Sequence, residues 1–234
     1  MRKVSSFTCV FLLLTVCVYS GPRNFVNRSI TQPRASVHPF QVIIFASAEA
    51  EPGESFLSTQ GQQRASYLVD FFLYQYPDGF TINQAVNPIR DIYVPGDPNN
   101  LDSPDVKQSL QTVAPLFHNA NGVSIEQTKG KTLTMNQNYG LNQSPEVLKD
   151  MLFSGNANKF VGNTVIICWK LEQITTNFDG LFGDPEIQSY FQNALSELEG
   201  LVTERSNVWV IQWNQDTPVG QTIKQVGVDT FNVP

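Results

Sequence analysis

Apolar and polar positions recur along this chain with two different periods, and the changes between them mark its elements. The run Gln41-Val42-Ile43-Ile44-Phe45 is short, continuous and followed by small residues, which predicts a buried strand. Beyond a loop carrying Pro52 and Gly53, Ala65, Leu68, Val69 and Phe72 fall on one face at helical spacing. Thr59 and Gln62 stand where a capping box would open that helix. The stretch DIYVPG, residues 91–96, reads as a second strand ended by Pro95 and Gly96. A second helix over 104–117 offers Val106, Leu110, Val113 and Phe117 as its buried stripe. Residues 122–127, GVSIEQ, read as a short strand, and the polar stretch 128–144 as an irregular lid or surface insertion.

Further along, Ser144 is placed to cap a helix with Pro145 at its first position. Residues 163–169, NTVIICW, are almost continuously apolar, the pattern of a central parallel strand covered on both faces. Asp184-Pro185 opens another helix with Ile187, Phe191, Leu195 and Leu198 on one face, and SNVWVIQW, residues 206–213, closes the pattern as a strand. Strands alternating with helices over connections of ample length predict an α/β class: a mostly parallel, doubly wound sheet in a three-layer α/β/α sandwich. Ligands bind such sheets beyond the carboxyl ends of the strands, so the positions to inspect follow Phe45, Val94 and Trp169.

Composition narrows the picture. A 234-residue chain with 41% hydrophobic and 15% charged residues has the material for a packed core and is not a disordered chain. The N-terminus departs from the rest. Arg2 and Lys3 precede an apolar run over 7–19 that is short for a bilayer span, and Val18 and Ser20 occupy the −3 and −1 positions of a cleavage before Gly21. Residues 1–20 therefore read as a secretory signal peptide, with a membrane anchor or buried helix as the competing reading. Residues 21–40 follow as an irregular arm and 41–234 as one domain.

Cleavage there leaves 13 basic against 21 acidic residues, a net charge of −8, which repels nucleic acid and anionic membranes. It also removes Cys9 and Cys17, so Cys168 stays as a buried, inert thiol without a disulfide partner. The expected protein is exported and free of the membrane. Two N-x-S sequons, at Asn27 and Asn142, are candidate glycosylation sites in that setting.

Four stretches carry a resemblance. They are VIIFASAEA at the first strand, LSTQGQQRA at the first helix, VKQSLQTVAPL in the second helix and TVIICWKLEQI at the apolar strand. In this order the chain resembles the histidine phosphatase superfamily, the phosphoglycerate-mutase-like fold. The resemblance implies phosphoryl transfer through a phosphohistidine: an Arg-His-Gly triplet ends the first strand, a second Arg precedes a Gln-Thr pair by three residues, and a second His completes a cationic pocket. Attack on a dianionic monoester needs such a nucleophile and such preorganised charge.

Carried over residue by residue, the triplet falls on Ala46, Ser47 and Ala48. The second Arg falls on Gln108, ahead of Gln111-Thr112, and the second His on Leu171, or on Lys170 if the register slips by one. The nucleophile, its partner and the phosphate clamp are all replaced.

What remains supports three expectations. The leading one is a pseudoenzyme that binds a protein partner or small ligand, with Lys107 and Lys170 as candidate anion-binding residues. The second is a hydrolase with different chemistry, using Ser47 or the acidic loops; Glu49, Glu51, Glu54, Asp97, Asp102 and Asp105 would make the crevice acidic. Ser47 would need a base, and the two histidines, His38 and His118, fall outside the loops after the strands. The third is a purely structural secreted protein with the crevice filled. No metal motif or cofactor motif is present in the sequence.

Overall fold

In the computed structural model, the described residues are 38–74, 82, 86–97, 103–127, 132–154, 157–174, 180–191, 205, 207–213 and 221–227. All of them belong to one compact unit, Ser36–Pro234. The expected signal peptide and its cleavage point, the Asn27 sequon, Asp102, Leu195 and Leu198 lie outside the described residues.

The fold is mixed α/β around a six-stranded, mostly parallel sheet with the order β3-β2-β4-β1-β5-β6. Strands β1 (Gln41–Ala46) and β4 (Thr164–Trp169) form its centre, parallel and in register from Gln41 opposite Thr164 to Ala46 opposite Trp169. Both are buried at every position, because helices cover both faces and leave no solvent side to alternate with. Strand β2 (Ile89–Tyr93) flanks β4 and carries β3 (Thr134–Asn136) on its other side, all parallel. On the far side of β1, β5 (Asn207–Trp213) runs antiparallel and pairs in turn with β6 (Gln221–Gly227), also antiparallel.

Two apolar clusters lie on the two faces. One joins Ile43, Phe45, Ile166 and Val210 to α1 (Thr59–Val69) and α2 (Pro104–Gln127). The other joins Val42, Ile44, Ile167 and Trp209 to α3 (Ser144–Leu152), α4 (Ala157–Phe160), α5 (Leu171–Ile174) and α6 (Pro185–Tyr190). The expected face of α1 is buried as read, with Ala65, Leu68, Val69 and Phe72 all under 9% exposed. A π-helical turn, Asp70–Tyr74, continues it. Among the described residues, no helix is long and apolar enough to cross a membrane.

Several local expectations are corrected. Residues 122–127 are the last turns of α2, not a strand. Their β-branched residues prefer strands only weakly, and a helix already nucleated at Pro104 propagates through them. The third strand lies instead within the stretch read as irregular, where Thr134–Asn136 finds the free edge of β2. The cap of α1 is Ser58, one residue earlier than Thr59; its hydroxyl accepts the N–H of Gly61, while the Gln62 amide donates back to the Leu57 carbonyl. Ser144 is the first helical residue of α3, and its hydroxyl donates to the Gln173 carbonyl. In α2, Val106 and Val113 are buried as expected, but Leu110 and Phe117 are only partly so. Leu116 and Ala120 complete the stripe instead.

Candidate functional site

The carboxyl ends of β1 and β4 stop side by side. Ser47, the first residue past β1, donates its N–H to the Trp169 carbonyl at 2.8 Å. The triplet Ala46-Ser47-Ala48 therefore stands at the tip of the central strands, yet it is covered: Ser47 is only 3% exposed and Ala48 not at all.

Helix α2 covers it. Gln108, Gln111 and Thr112 are spaced three and four apart, which places them together on one helical face. Their polar atoms are spent on the triplet, on the loop that follows it and on the helix itself. Thr112 Oγ1 accepts the N–H of Ala48 at 2.9 Å and donates to its own helix at Gln108 O, 2.7 Å away. Gln111 Oε1 accepts the N–H of Leu57 at 2.9 Å, and its Nε2 donates to Ser55 O at 3.2 Å. Gln108 donates to Glu54 O at 3.2 Å. The loop also returns on itself, with Ser58 N–H bonded to Glu49 O at 2.9 Å. Gly61 is required by this return: a Cβ there would stand 2.0 Å from the Glu49 carbonyl oxygen.

Two arginines close the arrangement. Arg64 points inward from α1 with its side chain 8% exposed, and grips the Glu49 carboxylate through Nε and Nη2. Its Nη1 donates to Arg205 O at 2.9 Å. Arg205 sits two residues ahead of β5. Because β5 is antiparallel to β1, with Val208 opposite Phe45, its start lies at the end of β1. From there Arg205 Nη1 donates to the carbonyls of both Ser47 and Ala48. A cation is thus present at the strand ends, spent on backbone oxygens.

The remaining expected site residues follow the same pattern. Lys170 pairs with Asp105 at 3.2 Å, both side chains about a third exposed, so the pair is weakly held. Lys107, on the same helix, is partly buried. Leu171 begins α5 and packs against the core; Trp169 is fully buried, its indole donating to Leu141 O at 2.8 Å. Residues 137–143, part of the expected lid, are bonded to the strand ends through Gly96 N–H to Tyr139 O at 2.7 Å. Gly96 permits that approach, since a Cβ would meet the Gln137 carbonyl oxygen at 1.8 Å.

Among the described residues, neither histidine stands beside Ser47. His38 precedes β1 and stacks on Trp213, with ring centroids 4.9 Å apart. That is the opposite end of the strand, roughly 30 Å from Ser47 along an extended chain. His118 is six residues beyond Thr112, about 9 Å further along the axis of α2. Cys168 is fully buried beside Ser109 O, and burial pushes its thiol up, away from the reactive thiolate. Of the described acidic loop residues, Glu49 is held by Arg64 and Asp105 by Lys170, while Glu51 and Glu54 are exposed. Among the described residues, no group of three or more His, Cys, Asp or Glu could hold a metal ion.

A second polar set lies under β2. Asp91 is fully buried, with Oδ1 bonded to Lys159 Nζ at 2.8 Å and Oδ2 without a hydrogen-bond partner. Burial raises its carboxyl above the ordinary value, and Lys159 only partly opposes this. Tyr93, two residues on, donates its hydroxyl to Asp150 Oδ2 at 3.1 Å. Burial, then the Asp150 charge, pushes that phenol upward. Of the sequons, Asn142 is exposed on a turn.

Sequence reasoning missed both arginines. Arg64 left a signal, since it occupies a position between Gly61 and Leu68 on the buried face, where a charge demands a partner. Arg205 left none, because its contacts are 157 and 158 residues away in sequence. No protein-family model matches the chain, and no curated protein matches it.

Proposed function

We propose that this chain is an exported, non-catalytic relative of the histidine phosphatases, built on the same three-layer, doubly wound scaffold and acting through its surface on a partner. The reading rests on one observation above others: the position of the family nucleophile is Ser47, which is buried, with its N–H and C=O both engaged by the protein. Supporting it, the segments quoted for the resemblance come together near the carboxyl ends of the central strands. Thr112 bonds Ala48 of the triplet, and Gln108 and Gln111 bond the loop that follows it. The chemistry the resemblance implies has no counterpart in the side chains that gather there. Loss of a single preorganised donor costs roughly a hundred- to a thousandfold in rate, and here nucleophile and clamp are replaced together.

A purely structural variant of this reading gains from Trp169 and Leu171, which pack into the core instead of lining an open crevice. The test is a thermal-shift screen of the purified protein against orthophosphate, phosphate monoesters and divalent cations. No change in melting temperature is expected. Saturable stabilisation by a phosphorylated compound means that an anion pocket survives at the strand ends and overturns the surface-acting reading.

A further inference from the structure

The starts of three helices converge beyond the carboxyl end of β4, on the face of the sheet opposite α1 and α2. The Gln173 carbonyl, in α5, accepts the Leu181 N–H at 2.9 Å and the Ser144 hydroxyl at 3.3 Å. These two bonds tie the start of α3 and the turn leading into α6 to α5. Between the three lies an open pocket of about 540 Å³. In open α/β sheets, this end of the strands is where ligands bind.

The lining selects a cation. Glu146 and Asp184 supply carboxylates and Gln173 an amide, and no Lys or Arg contributes to the wall. Lys149 stands outside it, paired with Asp184 Oδ2 and within the field of Glu146 and Glu186. Asp184 Oδ1 is taken by the N–H groups of Glu186 and Ile187. Glu146 differs: it is exposed, and its carboxylate enters no ion pair or hydrogen bond among the described residues. The decisive atom is Gln173 Oε1, which is shielded from water and has no hydrogen-bond partner. A buried acceptor left unpaired is costly, and only a donor relieves it. Gln173 itself is only partly buried, so a turn of its amide presents that oxygen to a group in the pocket.

Pro145 and Pro185, each in the first turn of its helix, add flat apolar faces. A planar cation with several N–H donors on an apolar stem suits carboxylate, amide oxygen and proline rings together. An ammonium is only a compact point charge.

We propose that this pocket receives an arginine side chain from a basic segment of a partner protein, its guanidinium donating to Glu146 and to Gln173 Oε1. The proposal rests on the reading of the chain as acting through its surface, and it names the chemistry of the partner. Glu172 and Glu186, in the first turns of α5 and α6, extend the negative charge beyond the wall. Basic residues flanking the arginine therefore add to the hold, which favours a segment over a free small molecule.

Fluorescence anisotropy of a labelled, capped peptide of alternating glycine and arginine tests this. It is run on the bacterially expressed chain, which carries no sugar at Asn142, a residue of the same wall. The expected result is saturable binding that weakens with salt. Glu146→Gln removes a charge-assisted acceptor and weakens binding about tenfold. Gln173→Met removes the unpaired oxygen, so it weakens binding while raising the melting temperature of the free chain. Loss of folding would not produce that pair of effects. Glu51→Gln, at an exposed carboxylate in the loop after β1, leaves binding unchanged.

A wild-type chain that does not bind the peptide overturns the proposal. So does a loss on Glu51→Gln as large as on Glu146→Gln, which means diffuse attraction. Equal binding of a glycine–lysine peptide means a point charge, and equal binding of free arginine means a small-molecule site; either overturns it as well. Failure of the surface-acting reading shows instead in phosphate release, which these peptide measurements do not read.

Discussion

Thr112 holds Ala48: the threonine hydroxyl oxygen, one-third of the way along α2, accepts the backbone N–H of the last residue of the strand-end triplet at 2.9 Å. The two are 64 residues apart in sequence, and both are completely buried. This bond exemplifies how the strand ends are built. Groups that could hold a ligand hold the chain's own backbone.

Thr112→Val keeps the shape and removes the acceptor, leaving the Ala48 N–H buried and unpaired. The expected cost is about 1–3 kcal/mol of unfolding free energy, read from urea denaturation. Thr112→Ser keeps the oxygen and recovers most of it. Equal stability of Thr112→Val and wild type would mean that Ala48 finds another acceptor.

Glu49→Gln leaves the Arg64 guanidinium, 8% exposed, without its counter-charge. Breaking a fully buried pair costs more, but the Glu49 side chain keeps 24% of its exposure, and about 2 kcal/mol is expected. A double-mutant cycle with Arg64→Met isolates the coupling. A coupling near zero would mean that the pair does not hold the loop in place.

Much of this arrangement was legible in the sequence, and the failures have physical causes. The buried run of β4 and the Asp184-Pro185 helix start follow from local patterns, and the structure has both; Asp184 Oδ1 accepts the N–H groups of Glu186 and Ile187. The edge strand β6 escaped, because QTIKQVG has neither the apolar run nor the alternation of a central strand and depends on pairing with β5. That the triplet follows the first strand could be read from order along the chain. That it would be stitched shut could not, since Arg205 reaches it only through the antiparallel return of β5.

Two carboxyls set opposite pH dependences. Asp91 binds its proton more tightly folded than unfolded, where it titrates near 3.8, so its contribution is fully present below that value. Stability is then lost as pH rises through the raised folded value. Asp184, held below 3.8 by Lys149 and by backbone N–H groups, contributes above 3.8 and loses its contribution as pH falls through the lowered value. Urea midpoints from about pH 3 to about pH 8 check both. Asp91→Asn flattens the decline on the neutral side, and Asp184→Asn flattens the loss on the acid side. Profiles unchanged by either substitution contradict these assignments.

Phosphoryl transfer is the activity that the sequence resemblance implies and that the proposed function excludes. The direct measurement is continuous phosphate release by the purified protein from a panel of monoesters, run beside its Ser47→Ala variant and a heat-denatured control. The expected result is no release above the control from either protein. Release by the wild-type chain that disappears in Ser47→Ala would show a working nucleophile at the end of β1 and contradict the central claim.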